Sequence, residues 1–255
     1  MRALINQRFL NQTRFDSAAP TGTGVVAHEL EQDGGYEVAV TREDEVVTTL
    51  GVQVMPKRTA EDAALRPAPQ ADDVGRDAVA VDLSKLVRPG ATPPELPPLA
   101  AAGWVSFTSS QPVEGHHVVI RRVEGPDGKG GEVFDSRRLG ERSVFAVTLL
   151  QPGRYSLQNA IDGAKAEIVV SYPEVGDAPY RPPPPLQIEV SQDGFSEQRF
   201  PVSPAQGVIF RFHTESRIQI ELVEPDEGPS PEPRPRARLV KTPGAEESRR
   251  GRAGS

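Results

Sequence analysis

PGRYSLQNAIDGAKAEIVV, residues 152–170, decides the fold. It reads as a strand, a short loop and a second strand. The loop, residues 159–163, is turn chemistry: Asn159 and Asp162 can bond their own backbone, and Gly163 tolerates a positive φ. Outward from this hairpin the same signals recur. On its N-terminal side, WVSFTSS (104–110) alternates in period two, with Trp104, Ser106 and Thr108 on one face and Val105 and Phe107 on the other. HHVVIRRVEG, GEVFDSRR and RSVFAVTLL follow, with GPDGKGG as a hairpin tip. On its C-terminal side a polyproline spacer, PYRPPPP, leads into LQIEVSQ, QRFPVS, GVIFRFH and RIQIELVE. Short strands at about 8–12-residue spacing with turn formers between them predict an all-β fold of one or two antiparallel β-sandwich units.

The rest of the chain divides by composition. Residues 1–23 form an N-terminal arm in which Leu4, Ile5, Phe9 and Leu10 fit either a short helix or a docking arm. Residues 24–55 hold VVAHEL, YEVAV and EVVTTLGVQV, separated by EQDGG and TREDE, which predicts a small three-strand β-meander. Residues 56–100 are a Pro/Ala-rich linker in which AVAVDLSKLV (78–87) is a strand or a docking segment. Residues 101–175 form a β-sandwich domain. Residues 186–224 are a second β-rich segment that completes the same sandwich or builds another. Residues 225–255 have too little apolar content to offset the entropy of ordering and are expected to be a disordered basic tail.

Composition excludes several chemistries. With no cysteine, there are no disulfides, thiolate zinc sites, thiol nucleophiles or iron–sulfur clusters. A net charge of −7 repels nucleic acid and anionic membranes, which leaves only the basic tail as a nucleic-acid contact. No apolar run has the length of a signal peptide or a membrane span, so the expected location is cytoplasmic. Gly-x-Ser-x-Gly and phosphate-loop patterns are absent, and no enzyme activity or cofactor is expected.

Two stretches resemble pieces of a cupredoxin. Gly153, Tyr155 and Leu157 match the approach strand of that family's closing hairpin. Asn159 then stands at the copper-binding Cys and Asp162 at the His, and residues 166–170 supply the last strand. IEVSQDGFSEQRFPVSPAQGVIFRFHTESRIQIEL (188–222) resembles the opening half, with the Gly194–Phe195 turn, Gly207 and VIFRF. Arg217 falls near its ligand His. The closing piece precedes the opening one, so the resemblance implies either one permuted sandwich or two cupredoxin-like or immunoglobulin-like units. A blue-copper site needs a thiolate and imidazoles, and this chain has no thiol.

The candidate metal ligands are His116, His117 and His213, with His28 as a further histidine. His116 and His117 are adjacent and point to opposite faces of a strand, so they cannot chelate one ion together. The expected function is that of a non-enzymatic structural or interaction protein, working through protein–protein contacts or self-association. A strand such as VVAHEL could add to a neighbour's sheet edge. One alternative is a carbohydrate- or peptide-binding module using Trp104, Tyr155 and Tyr180, although Trp104 also reads as a core residue. The other is a His-based metal protein.

Overall fold

The computed structural model describes residues 10–56, 76–111, 113, 115–123, 130–172 and 180–226. The described chain is all-β, in two sheets, apart from short helical turns. The smaller sheet has five strands in the order β1 (Arg14–Asp16), β16 (Ile218–Pro225), β10 (Gly153–Asn159), β11 (Lys165–Val170) and β14 (Arg199–Val202). β10 and β11 form the expected hairpin, with Tyr155 opposite Ile168 and Leu157 opposite Ala166.

The larger sheet bends. Its long layer runs β13 (Gly194–Phe195), β12 (Leu186–Ser191), β15 (Gly207–Phe212), β9 (Ser143–Thr148), β2 (Gly24–Leu30), β6 (Leu99–Thr108) and β5 (Arg76–Asp82). The bend lies in β6. Ala102 has φ 63°, and a Cβ on Gly103 would stand 2.6 Å from the Ala100 carbonyl oxygen, so the backbone there closes on itself. Beyond the bend, Leu99 and Ala100 pair with the end of β4 (Glu45–Met55). β4 carries a wing made with β3 (Gly34–Arg42), β7 (His116–Arg122) and β8 (Gly131–Asp135).

Both the wing and the smaller sheet lie over the same face of the long layer. Phe134 of β8 stacks on Phe107 of β6, with centroids 6.0 Å apart, and packs at a tilt against the His28 ring of β2, 4.8 Å away. Val26 of β2 is paired with Phe145 of β9, whose ring stacks on Phe210 of β15. These residues join Tyr155, Leu157, Ile168 and Ile220 of the smaller sheet in one continuous buried core. Period-two patterning puts the aliphatic and aromatic side chains of each strand on the shared face, and their burial is the main favourable term in the fold.

The two β-rich segments of the C-terminal half therefore interleave. β9 pairs with β15, β10 with β16, and β11 runs parallel to β14. The second segment completes the sandwich that the hairpin begins.

Three local expectations need correction. Of the meander, β3 and β4 form a hairpin whose tip, Glu43 (φ 51°) and Asp44 (φ 67°), has both central residues left-handed, as a type I′ turn requires. β2 does not pair with β3. Both of its edges are taken by distant strands, β6 and β9, so it is a central strand and offers no free edge.

The Pro/Ala-rich stretch is more than a linker. β5 and the single turn α1 (Leu83–Leu86) bury Val79, Val81, Leu83 and Leu86. Asp82 caps α1 and accepts hydrogen bonds from Ser84 N (3.1 Å), Ser84 Oγ (2.7 Å), Ser110 N (3.2 Å) and Ser110 Oγ (2.8 Å). Burial alone would push its carboxyl up, but these bonds outweigh it and hold the group below the usual carboxylate range.

Trp104 is not a core residue. It stands, partly exposed, on the outer face of the long layer, while Val105 and Phe107 point inward as their alternation predicts. Leu4, Ile5 and Phe9 of the arm, the tip 124–129 and the tail 227–255 lie outside the described residues. No helix among the described residues is long and apolar enough to cross a membrane.

Candidate functional site: a polar seam between the two smaller layers

Where β10 ends and β16 begins, four segments meet. Asn159 closes β10 and is fully buried. Its amide is saturated. Nδ2 donates to Asp162 Oδ2 (2.8 Å) and to Ser216 Oγ (3.3 Å). Oδ1 accepts from Ile161 N (3.2 Å) and from Arg217 N (2.9 Å). Asp162 Oδ1 takes Ala164 N at 2.8 Å, and Gly163 sits at φ 78°. The loop is the Asx-type turn that the sequence predicts. Its lead residue also reaches across to the β15–β16 connection.

Arg217 continues the network to the N-terminal arm. Its guanidinium grips Asp16 in a two-point contact, Nε to Oδ1 at 3.1 Å and Nη2 to Oδ2 at 2.7 Å. That contact is the principal cause of the raised Arg217 pKa. Ser17 exchanges hydrogen bonds with Ile218, and Ala18 O accepts from Ser136 Oγ at 2.7 Å. Ser136 in turn accepts from Val118 N at 3.0 Å, and Leu139 and Ser216 exchange backbone bonds of 2.8 Å. The seam ties the smaller sheet to the wing.

On the wing side, Arg137 binds Asp135 through Nε and Nη2 and reaches Asp44 through Nη1, at 2.8 Å. Burial acts to raise the Asp135 carboxyl, yet Arg137 holds it below the usual range. His117 is buried beside this cluster, and burial, then the Arg137 charge, lowers its pKa. Charge-assisted pairs of this kind are strong.

The histidines are dispersed. His116 lies on β7 with Nδ1 3.2 Å from Val113 O. His213 is at the exposed end of β15, with Nε2 2.8 Å from Glu189 Oε2. His28 lies in the core, Nδ1 3.0 Å from Ser143 Oγ. Among the described residues no group of three or more His, Cys, Asp or Glu side chains is placed to hold a metal ion. Trp104, Tyr155 and Tyr180 do not share a platform. Tyr155 is fully buried with its hydroxyl donating to Gln151 O, and Tyr180 donates to Pro204 O.

The structure thus brings together Asn159, Asp162 and Arg217 through hydrogen bonds centred on the Asn159 amide. Asp16, Ser136 and Ser216 complete the seam, and nothing local in the sequence marks them. No protein-family model matches the chain, and no match is found among curated proteins or solved structures.

His28 makes a pH prediction. Burial, then the nearby Arg142 charge, lowers its pKa to about 4. The folded state therefore binds the proton less readily than the unfolded chain. Stability is full above about pH 6.5 and is lost as pH falls from there towards 4, by roughly 3 kcal/mol. Urea midpoints measured across this range should slope steeply for the native chain and clearly less for His28→Phe. His117 shifts in the same direction, so some slope remains. Equal slopes in the two proteins would contradict the assignment.

Proposed function

We propose that this is a non-enzymatic β-sandwich protein that works through protein–protein contacts, taking an extended segment of a partner along the edge of β4. The observation that carries the proposal is that edge. β4 pairs with β3 along its length, but on the other side only Val54 and Met55 meet β6. Among the described residues nothing pairs with the outer side of residues 45–53. Val46 and Val47 are 54% and 45% exposed, and Val46, Val47, Thr48 and Thr49 form a β-branched run suited to a strand surface. Among the other edges, Pro201 interrupts β14, β1 has three residues and β13 has two, while β5 and β8 present edges of seven and five residues against the eleven of β4. A long edge of unpaired N–H and C=O groups is a template for strand addition.

The saturated seam supports the non-enzymatic part, because its carboxylates are each committed to an arginine or a turn. The C-terminal half is read as a permuted cupredoxin-like sandwich, supported by the way the closing-type hairpin interleaves with the opening-type segment in both sheets. Its hydrogen-bonded Asn159 stands where the family places metal.

A photo-crosslinking residue at Val47, introduced in the protein's native cells, should give a discrete adduct with a partner. The same residue at exposed Glu197 should not, and a second change, Thr49→Lys, should suppress the Val47 adduct by blunting the edge. Identical adduct patterns at 47 and 197 would sink the proposal.

A further inference from the structure

The outer face of the long layer is largely apolar over its central strands. Register sets Ala27 of β2 beside Ser106 and Val144, and Val25 beside Ala146, which neighbours Ile209 of β15. Trp104 and the exposed Ala78 and Ala80 extend the face over β6 and β5. Each central residue is partly exposed, as side chains on a pleated surface are when strands flank them on both sides. Charge flanks the central strands: Arg211 of β15 stands beside Val144 and faces Glu189 of β12, while Glu29 and Asp82 lie near strand ends.

We infer that this face is the contact between two copies of the chain, packed sheet to sheet about a two-fold axis. Three observations select a second copy. First, area: six strands spaced about 4.8 Å apart, each about 20 Å long, present on the order of 500–600 Å² per copy. Two such faces together bury on the order of 1,000–1,200 Å², enough for a specific interface at the lower end of the range. Second, shape: Ala, Ser, Thr and Val let two sheets approach to about 10 Å, the usual spacing of face-packed sheets.

Third, charge. Residues 1–226 carry 22 Lys and Arg against 32 Asp and Glu, so copies can meet only where charge is missing or matched. An axis parallel to the strands, between β2 and β9, lays Ala27 over Val144, Val25 over Ala146 and Glu29 over Arg142 of the other copy. No like charges meet, and the same surface serves both partners, as two-fold contacts require. This surface is distinct from the β4 edge, so the two proposals stand or fall separately.

The single tryptophan is on this face and reports on it. At on the order of 50 µM, above the Kd of a modest interface, light scattering should give twice the 27.6 kDa of the chain. Dilution should then red-shift the Trp104 emission as its ring meets water. Ala146→Glu, and independently Ala27→Glu, should each halve the mass while leaving the far-ultraviolet spectrum unchanged. Val47→Lys, on the other surface, should leave the doubled mass intact. A wild-type mass of 27.6 kDa at that concentration, or doubled mass in both glutamate variants, would overturn the inference. So would a monomer whose Trp104 emission red-shifts only when residues 227–255 are removed, which would make the tail the occupant.

Discussion

Asn159→Leu is expected to cost about 3–5 kcal/mol and to lower Tm by roughly 6–20 °C in a chain of this size. The two side chains are close in size, so the loss is polar. Ile161 N and Arg217 N lose the acceptor they share, and Asp162 and Ser216 lose the amide that donates to both. Asn159 is fully buried, so water cannot readily replace these partners. Buried groups left unmatched cost about 1–3 kcal/mol each. Asp162→Asn keeps a side chain that can still accept from Ala164 and should cost far less. Chemical denaturation of both variants decides the matter, and an Asn159→Leu loss under about 1 kcal/mol would show that the seam is ornamental to stability.

Gly153→Ala should be comparably severe. Gly153 has φ 144°, a conformation that side chains disfavour. A Cβ there would lie 2.5 Å from Glu224 O, 2.8 Å from Leu222 Cδ1 and 3.0 Å from Pro225 Cα. Two of those atoms are backbone and cannot swing aside. Backbone strain and overpacking together amount to about 3–5 kcal/mol. The register between β10 and β16 already shifts at Arg154/Tyr155, so the end of β16 is where relief would occur. Amide exchange should therefore accelerate first in residues 222–226, whose anchors include Asp226 N to Pro152 O and Tyr172 Oη to Asp226 O. Unchanged exchange there, with a stable Gly153→Ala protein, would refute the account.

Much of the architecture was legible because period two is a local signal. Tyr155, Leu157, Val105, Phe107, Val208 and Phe210 are buried where alternation places them. The Asn159 turn was readable for the same reason, since Asx chemistry acts over two or three residues. What escaped was every pairing decided at a distance. VVAHEL looks like the first strand of a meander, yet both its edges belong to strands more than seventy residues away in the chain. The bend at Gly103 carries no marker beyond a glycine, and the turn-like EQDGG hides a crossing from the long layer to the wing. Within the proline- and alanine-rich residues 56–100 the strand β5 was readable in AVAVDLSKLV, but its parallel pairing with β6 was not. Asp16 and Arg217 are ordinary surface types in sequence and become partners only when the two ends of the fold meet.

That meeting has a consequence for biosynthesis. β16 lies between β1 and β10, with Phe15 opposite Ile220 on one side and Leu157 opposite Ile220 on the other. A ribosome working from the N-terminus delivers β1 first and β16 last of these three. The nascent chain must therefore carry β1 unpaired, with one side of β10 open, until the closing strand leaves the exit tunnel. So high a contact order makes completion slow, and during that interval the exposed side of β10 is where a chaperone would have to hold on.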